Sequence, residues 1–156
     1  MTEAYLDGLR VLYDGEVMGE RLLLALHAAA RTPREARCFA AILQLETETK
    51  ARLRPLLLRH GLSLAEAGDL SGIPARVAGY LQQSWEAYAS ATAARLGPIL
   101  ASYQAIAALG PPQDRPILQA VVDHEAALLR WAEMEGAGDT DASLSDLLSL
   151  LNFPPD

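Results

Sequence analysis

Apolar residues recur along this chain in alternating steps of three and four, the spacing that turns one face of an α-helix toward a core. The first such seam reads Tyr5, Leu9, Leu12, Glu16, Gly19, Leu23, Leu26 and Ala30. The second reads Phe39, Ile42, Glu46, Thr49, Leu53, Leu56 and His60, and the third Leu81, Trp85, Tyr88, Thr92, Leu96, Ile99, Tyr103 and Ile106. The last stretch carries two adjoining seams. One is Ile117, Val121, His124, Leu128, Trp131 and Glu135; the other is Leu118, Val122, Glu125, Leu129 and Ala132.

Punctuation residues set the predicted boundaries. A first helix over residues 3–30 ends at Thr32-Pro33, where Thr32 can cap a second helix that has proline in its first position. Glu35, three residues on, completes a capping-box spacing. The second helix is expected over 33–60, interrupted by Pro55 and stopped by Gly61. Residues 61–74 form a connection that, fully extended, could span roughly 40 Å and so cross the length of a bundle. A third helix is expected over 74–109, kinked at Gly97-Pro98, and Gly110-Pro111-Pro112 ends it. A fourth starts near Asp114-Arg115-Pro116 and ends at Glu135-Gly136. In the tail, 136–156, Ser143 is placed to cap a short helix over 143–150 that packs on the bundle. The pattern predicts an all-α fold: a four-helix bundle over 1–135 with a short additional C-terminal helix.

Composition agrees with this reading. The 156 residues suit about one domain. Alanine and leucine dominate a hydrophobic fraction of 51%, and β-branched residues are sparse. A formal net charge of -7 opposes general binding to nucleic acid. Cys38 is the only cysteine, so no intramolecular disulfide can form, and a reducing compartment is compatible. The opening MTEAYLDGLR is charged and lacks the apolar core of a signal peptide. No uncharged apolar stretch is long enough to span a bilayer. A cytoplasmic protein without membrane partners is expected.

The chemistry lies in the polar residues that interrupt the seams. Glu16 and Glu46 each stand about 20 Å from the turn near Thr32, counted in helical rise, so an antiparallel hairpin sets them at one level. Two buried carboxylates so close repel, and either one takes a proton or a cation lies between them. Oxygen ligands of this kind suit hard cations, iron and manganese. The plainer reading is that each glutamate meets an arginine or water at a partly open seam. Glu20 lies one turn beyond Glu16, near the edge of the same face. His124 and Glu125 both point to the core side, and Asp123 points outward. His124 suits a metal or, equally, a satisfied core histidine. Glu86 sits beside Trp85 on a face of glutamine, alanine and serine, where solvent or an oligomer contact competes with an inward role.

Other chemistries find little support. Phosphate-binding glycine loops, Gly-x-Ser-x-Gly, His-Glu-x-x-His and paired Cys-x-x-Cys motifs are missing. Cys38 reads as a small buried hydrophobe. His27 and His60 lie near helix C-termini, where positive charge suits the dipole.

Taken together, the seam glutamates and His124 resemble the ferritin-like superfamily of carboxylate-bridged di-metal bundles, over roughly residues 5–135. In that pattern two helices each give a Glu and two give Glu-x-x-His. The resemblance implies Glu16 as the first-helix ligand, Glu46 within LETETKARL as the second, Glu86 as the third, and the VVDHEAALL segment as the fourth-helix contribution. It further implies iron or manganese and oxidoreductase-type chemistry on dioxygen or peroxide. This chain departs from the pattern in two helices. The second-helix histidine falls on Thr49; in the fourth helix either the Glu partner of His124 falls on Val121 or the His partner of Glu125 falls on Leu128. Glu86 also lies about 36 Å before the last loop, against about 15 Å after it for His124. Three readings stay open. One is a metal-binding protein using Glu16, Glu46 and His124, with Glu125, Glu86 and Glu20 as further candidates. Another is a metal-free, non-enzymatic bundle acting as a homo-oligomer, a dimer, or through a protein partner. A third is a small-molecule pocket in the core, with Tyr13, His124 and the acids supplying its polar groups.

Overall fold

In the computed structural model, which describes residues 2–66 and 68–155, every regular element is helical. The order is α1 (Glu3–Ala28), α2 (Pro33–Arg59), α3 (Ile73–Leu81), α4 (Trp85–Leu109), α5 (Arg115–Gly136) and α6 (Ser145–Leu150). The all-α class expected from the seams is therefore observed. None of these helices is long and apolar enough to cross a membrane.

The long helices lie as two hairpins, α1 with α2 and α4 with α5. Side-chain contacts fix their directions. Tyr5, at the start of α1, packs edge-on against His60 just past the end of α2, and its hydroxyl donates to Asp114 before α5 (2.8 Å). Trp85, at the start of α4, packs on Phe39 near the start of α2 (5.5 Å between centroids). Hence α1 and α5 run one way, and α2 and α4 the other. Because α2 and α4 run the same way, the chain between them must cross back along the length of the helices. Gly61 begins this crossover at φ +71, a left-handed conformation that glycine adopts without a Cβ penalty. The strand of chain that follows runs back beside α1. Arg10 donates to the carbonyls of Ser63 and Ala65, the Tyr13 hydroxyl donates to the carbonyl of Leu64, and Glu66 meets Arg21 and Lys50.

Local capping explains most boundaries and corrects two expectations. Thr32 accepts from the Glu35 amide (3.1 Å), and Glu35 returns the bond one residue earlier than a capping box does, accepting from the Arg31 amide (3.0 Å). The stretch expected as one helix over 74–109 is two. Ser84 accepts from the Ala87 amide (3.2 Å) and starts α4 afresh, because a serine hydroxyl offers a better partner at a helix start than in a helix interior. The two pieces have different neighbours: α3 packs on α1, α4 on α5. Pro55 and Pro98 are carried inside continuous helices. In the tail, Ser143 does not cap α6, whose N-cap is Leu144 without a side-chain bond. The Ser143 hydroxyl instead donates to the buried carboxylate of Glu135, the stronger acceptor. α6 covers α5 and α2, and Glu48 holds the chain beyond it through Asn152 and the Phe153 amide.

The core is divided. Around the α1–α2 turn, Leu26, Phe39, Leu45, Tyr80, Leu128 and Trp131 form one apolar cluster. Toward the other end, Tyr5, Leu9, Leu12, Leu53, Leu56 and Val121 form a second. Between them lies a layer of buried polar side chains: Glu16, Glu46, Thr49, His124 and Glu125.

Candidate functional site

Each member of this layer reaches it from a seam position. α1 supplies Glu16, α2 supplies Glu46 and Thr49 one turn apart, and α5 supplies His124 and Glu125. Glu16, Glu46 and His124 each offer one ligand atom, and these atoms lie within 4.8 Å of one another. The His124 Nδ1 lies 3.0 Å from the Thr49 hydroxyl and 3.4 Å from a Glu16 oxygen, while Nε2 lies 3.8 Å from Glu46 Oε1. With Nδ1 hydrogen-bonded to the Thr49 hydroxyl, the ring turns Nε2 toward Glu46. That is how a hydrogen bond on one imidazole nitrogen orients the other toward a cation.

Glycine opens the surface of α1 for this arrangement. A Cβ at Gly19 would overlap the carboxylate of Glu46, and one at Gly15 would overlap the Tyr103 hydroxyl from α4. Two glycines one turn apart thus admit a carboxylate and a phenol that alanines would exclude.

The electrostatics are one-sided. Burial pushes the Glu16 carboxyl well above its ordinary range, and the charges of Glu46 and Glu125 push it further. Burial likewise raises Glu125 to about 7, against a lowering by His124. For His124 burial acts downward, but the carboxylates of Glu46 and Glu125 outweigh it and the ring titrates above its usual value. Burial, and then Glu16, Glu125 and Glu46, also raise Tyr103. Among the described residues the ion pairs of Glu16 and Glu46 are with His124 alone, and Glu125 has none. Three buried polar atoms here lack a hydrogen-bond partner: Glu16 Oε2, His124 Nε2 and Glu125 Oε2. An excess of negative charge, with acceptors left open, calls for protons or a cation. Two or three carboxylate oxygens and one imidazole nitrogen form a donor set that suits iron or manganese.

Two expected ligands lie elsewhere. Glu20 turns outward to an ion pair with Lys50 and accepts from the Thr47 hydroxyl (2.9 Å), because it sits at the edge of the α1 seam. Glu86 is exposed in the first turn of α4 and stands outside the group of ligand atoms formed by Glu16, Glu46 and His124. Tyr13 faces the crossover, bonded to the carbonyl of Leu64. Cys38 is fully buried, its thiol pushed up to about 11 chiefly by burial, consistent with a packing role. Thr49, Tyr103, Gly15 and Gly19 were not singled out by their chemistry in the sequence. Gly19 alone left a signal there, since a glycine within a helical seam costs about 1 kcal/mol against alanine and marks a close approach.

No family model matches the chain, and neither a curated protein nor a solved structure resembles it closely enough to count as a match.

Proposed function

We propose that this chain is a ferritin-like four-helix bundle that binds one divalent metal ion, iron or manganese, in its core. Glu16, Glu46 and His124 hold the ion, and Glu125 stands beside them. The observation that carries the reading is the set of unpartnered buried polar atoms, Glu16 Oε2, His124 Nε2 and Glu125 Oε2, around ligand atoms within 4.8 Å of one another. The two antiparallel hairpins joined by one long crossover support the ferritin-like assignment, since that connectivity sets the ferritin-like bundles apart from simple up-down ones. Thr49, at the place of the family's second-helix histidine, keeps a role by holding His124.

A bound ion of this kind supplies activation of dioxygen or peroxide. The chain's own contribution is to hold an unsymmetrical set of ligands in a layer closed off by apolar clusters on both sides. Single occupancy follows from the missing Glu-x-x-His motifs: one imidazole and three carboxylates suffice for one ion and fall short of two. Metal analysis of protein purified from cells supplied with iron and manganese tests the reading. About one ion per chain is expected, with loss of binding in Glu46→Gln. Occupancy below about a tenth of an equivalent after reconstitution overturns it.

A second reading keeps the fold and discards the ion. Protons on Glu16 and Glu125 would neutralise the layer, as their raised pKa values allow. The protein would then act as a homodimer or through a protein partner, using exposed apolar residues such as Leu109 of α4. It expects a metal-free protein in the same analysis and a dimer in solution.

A further inference from the structure

A cavity of about 210 Å³ opens between α1, α3 and α4 and reaches inward to the polar layer. Its walls are apolar: Leu22 and Leu23 of α1, Phe39 and Ile42 of α2, and Leu96 of α4. Its two ends carry opposite charge. Glu46, Glu125 and Tyr103 line it within the core, and Arg76 of α3 and Arg95 of α4 line it where both are exposed to solvent. Arg76 and Arg95 also line together a smaller neighbouring cavity beside Tyr80 and Tyr88, which sets both side chains at one mouth. Arg95 donates to the Thr92 hydroxyl (3.0 Å), and among the described residues neither arginine meets a carboxylate. In a chain of net charge -7, most arginines have an acidic partner at hand, as Arg10, Arg21, Arg31, Arg34, Arg52, Arg59 and Arg130 do. Two unpaired guanidinium groups at the mouth of an apolar cavity form a ready anion site, because their forked donors match a carboxylate.

We infer that this cavity binds a small apolar carboxylate, its anionic head on Arg76 and Arg95 and its hydrocarbon body directed inward along Leu22, Leu23 and Leu96. The reverse orientation is opposed by the acids at the inner end. The volume limits the body to roughly one aromatic ring or a short alkyl chain, given that an apolar cavity of about 150 Å³ accepts benzene. The binding claim stands on the cavity alone. That the bound molecule is the substrate of the metal centre rests on the function proposed above, and the inner end of the cavity, at Glu46 and Glu125, is where it would meet that centre.

Phenylacetate and its uncharged counterpart phenylethanol test this, by calorimetry and by the fluorescence of Trp131, which lines the cavity. Both are titrated into chelator-treated protein and into protein loaded with Mn²⁺. Phenylacetate is expected to bind chelator-treated protein about tenfold or more tighter than phenylethanol, the range of a charge-assisted bidentate contact. The double substitution Arg76→Gln and Arg95→Gln is expected to remove that advantage while leaving phenylethanol and Mn²⁺ binding unchanged. Both arginines are exposed, so the fold is retained, and circular dichroism verifies it. Equal binding of the two probes, or binding of neither, overturns the inference. So does phenylacetate binding that needs Mn²⁺ and ignores the arginines, a result that leaves the metal centre standing. Arginine-dependent phenylacetate binding by a protein that takes up no metal overturns the metal centre and leaves this site standing.

Discussion

Asp114 and Glu135, at opposite ends of the molecule, are as buried as Glu16 in its middle, at 0%, 0% and 1% exposure. Their surroundings differ completely. Asp114 accepts from Tyr5 (2.8 Å) and Arg59 (2.7 Å) and meets His60 Nε2 at 2.6 Å. Glu135 accepts from Arg34, from Ser143 and from the Trp85 indole (2.5 Å). Burial pushes both carboxyls up, yet hydrogen bonds and cations outweigh it and both titrate below their ordinary range. Glu16 has a histidine that it shares with Glu46, an orphaned oxygen and a raised pKa. None of the three is exposed, but Glu16 lies deepest, and it also lacks the donors and cations that hold the other two, so depth and missing partners together set it apart. Asp114 and Glu135 are paired fully where they join elements together, whereas Glu16 and Glu125, in the polar layer between the two apolar clusters, are left short of donors.

The sharpest test of that contrast is stability in metal-free buffer. Glu135→Ala strands Trp85, Ser143 and Arg34 at once, and is expected to cost about 3 kcal/mol. Glu16→Gln replaces a carboxyl that burial and its acidic neighbours push toward the protonated form, and is expected to be neutral or stabilising by about 1 kcal/mol. Urea unfolding followed by circular dichroism measures both. A loss of several kcal/mol for Glu16→Gln without metal would mean that the middle acids are structural after all, and the comparison would fail.

Acid sharpens it next. A carboxyl whose folded pKa lies below its unfolded value contributes stability that is fully present above the unfolded value, near 4, and is lost as pH falls through the folded one. Asp114 faces Arg59, His60 and Tyr5, and Glu135 faces Arg34 and Cys38, so both belong to this class. The wild-type protein is therefore expected to lose stability from about pH 4 downward, on the order of 1 kcal/mol per group. The difference between wild type and Glu135→Gln, measured across this range, isolates one group, since the other carboxyls cancel. A difference that does not shrink toward low pH would contradict the assignment.

Much of the contrast was legible in the chain before any coordinates. Glu16, Glu46 and His124 interrupt apolar seams, and equal distances of the two glutamates from the Thr32 turn set them at one level; period and helical rise suffice for that. Glu20 falls outside the polar layer for a reason that period alone does not contain. An edge position lets a glutamate swing to whichever cation lies outside, here Lys50, and the identity of that neighbour is tertiary information. Glu86 is out of level by helical rise alone, about 36 Å before the last loop against about 15 Å after it for His124, and it stands exposed in the first turn of α4. The partners that make Asp114 and Glu135 structural come from sequence separations of 55 and 101 residues for Arg59 and Arg34, beyond any local pattern. Thr49 could be seen only as a missing histidine, because its hydroxyl acquires its meaning from a ring on α5.

The smallest expected effect on stability tests the middle region from the side of packing. Gly19→Ala sets a methyl group where the Glu46 carboxylate now lies. The obstacle is the far end of a flexible side chain, so Glu46 can rotate away without moving its helix. Alanine also gains up to about 1 kcal/mol over glycine in a helix interior. The two effects oppose each other, and stability without metal is expected to stay within about 1 kcal/mol of wild type. Ligand geometry has no such slack, because Glu46 must face His124 Nε2 to complete the set. Mn²⁺ affinity is therefore expected to fall by tenfold or more, in the range that displaced supporting groups cost a metal site, about 10–100-fold. Calorimetric titration beside urea unfolding reads the two quantities on one variant. A variant that keeps its Mn²⁺ affinity would show that Glu46 is not a ligand. One that loses stability and affinity together would show that Gly19 serves helix packing, and the claim that the glycine exists to admit a carboxylate would have to be withdrawn.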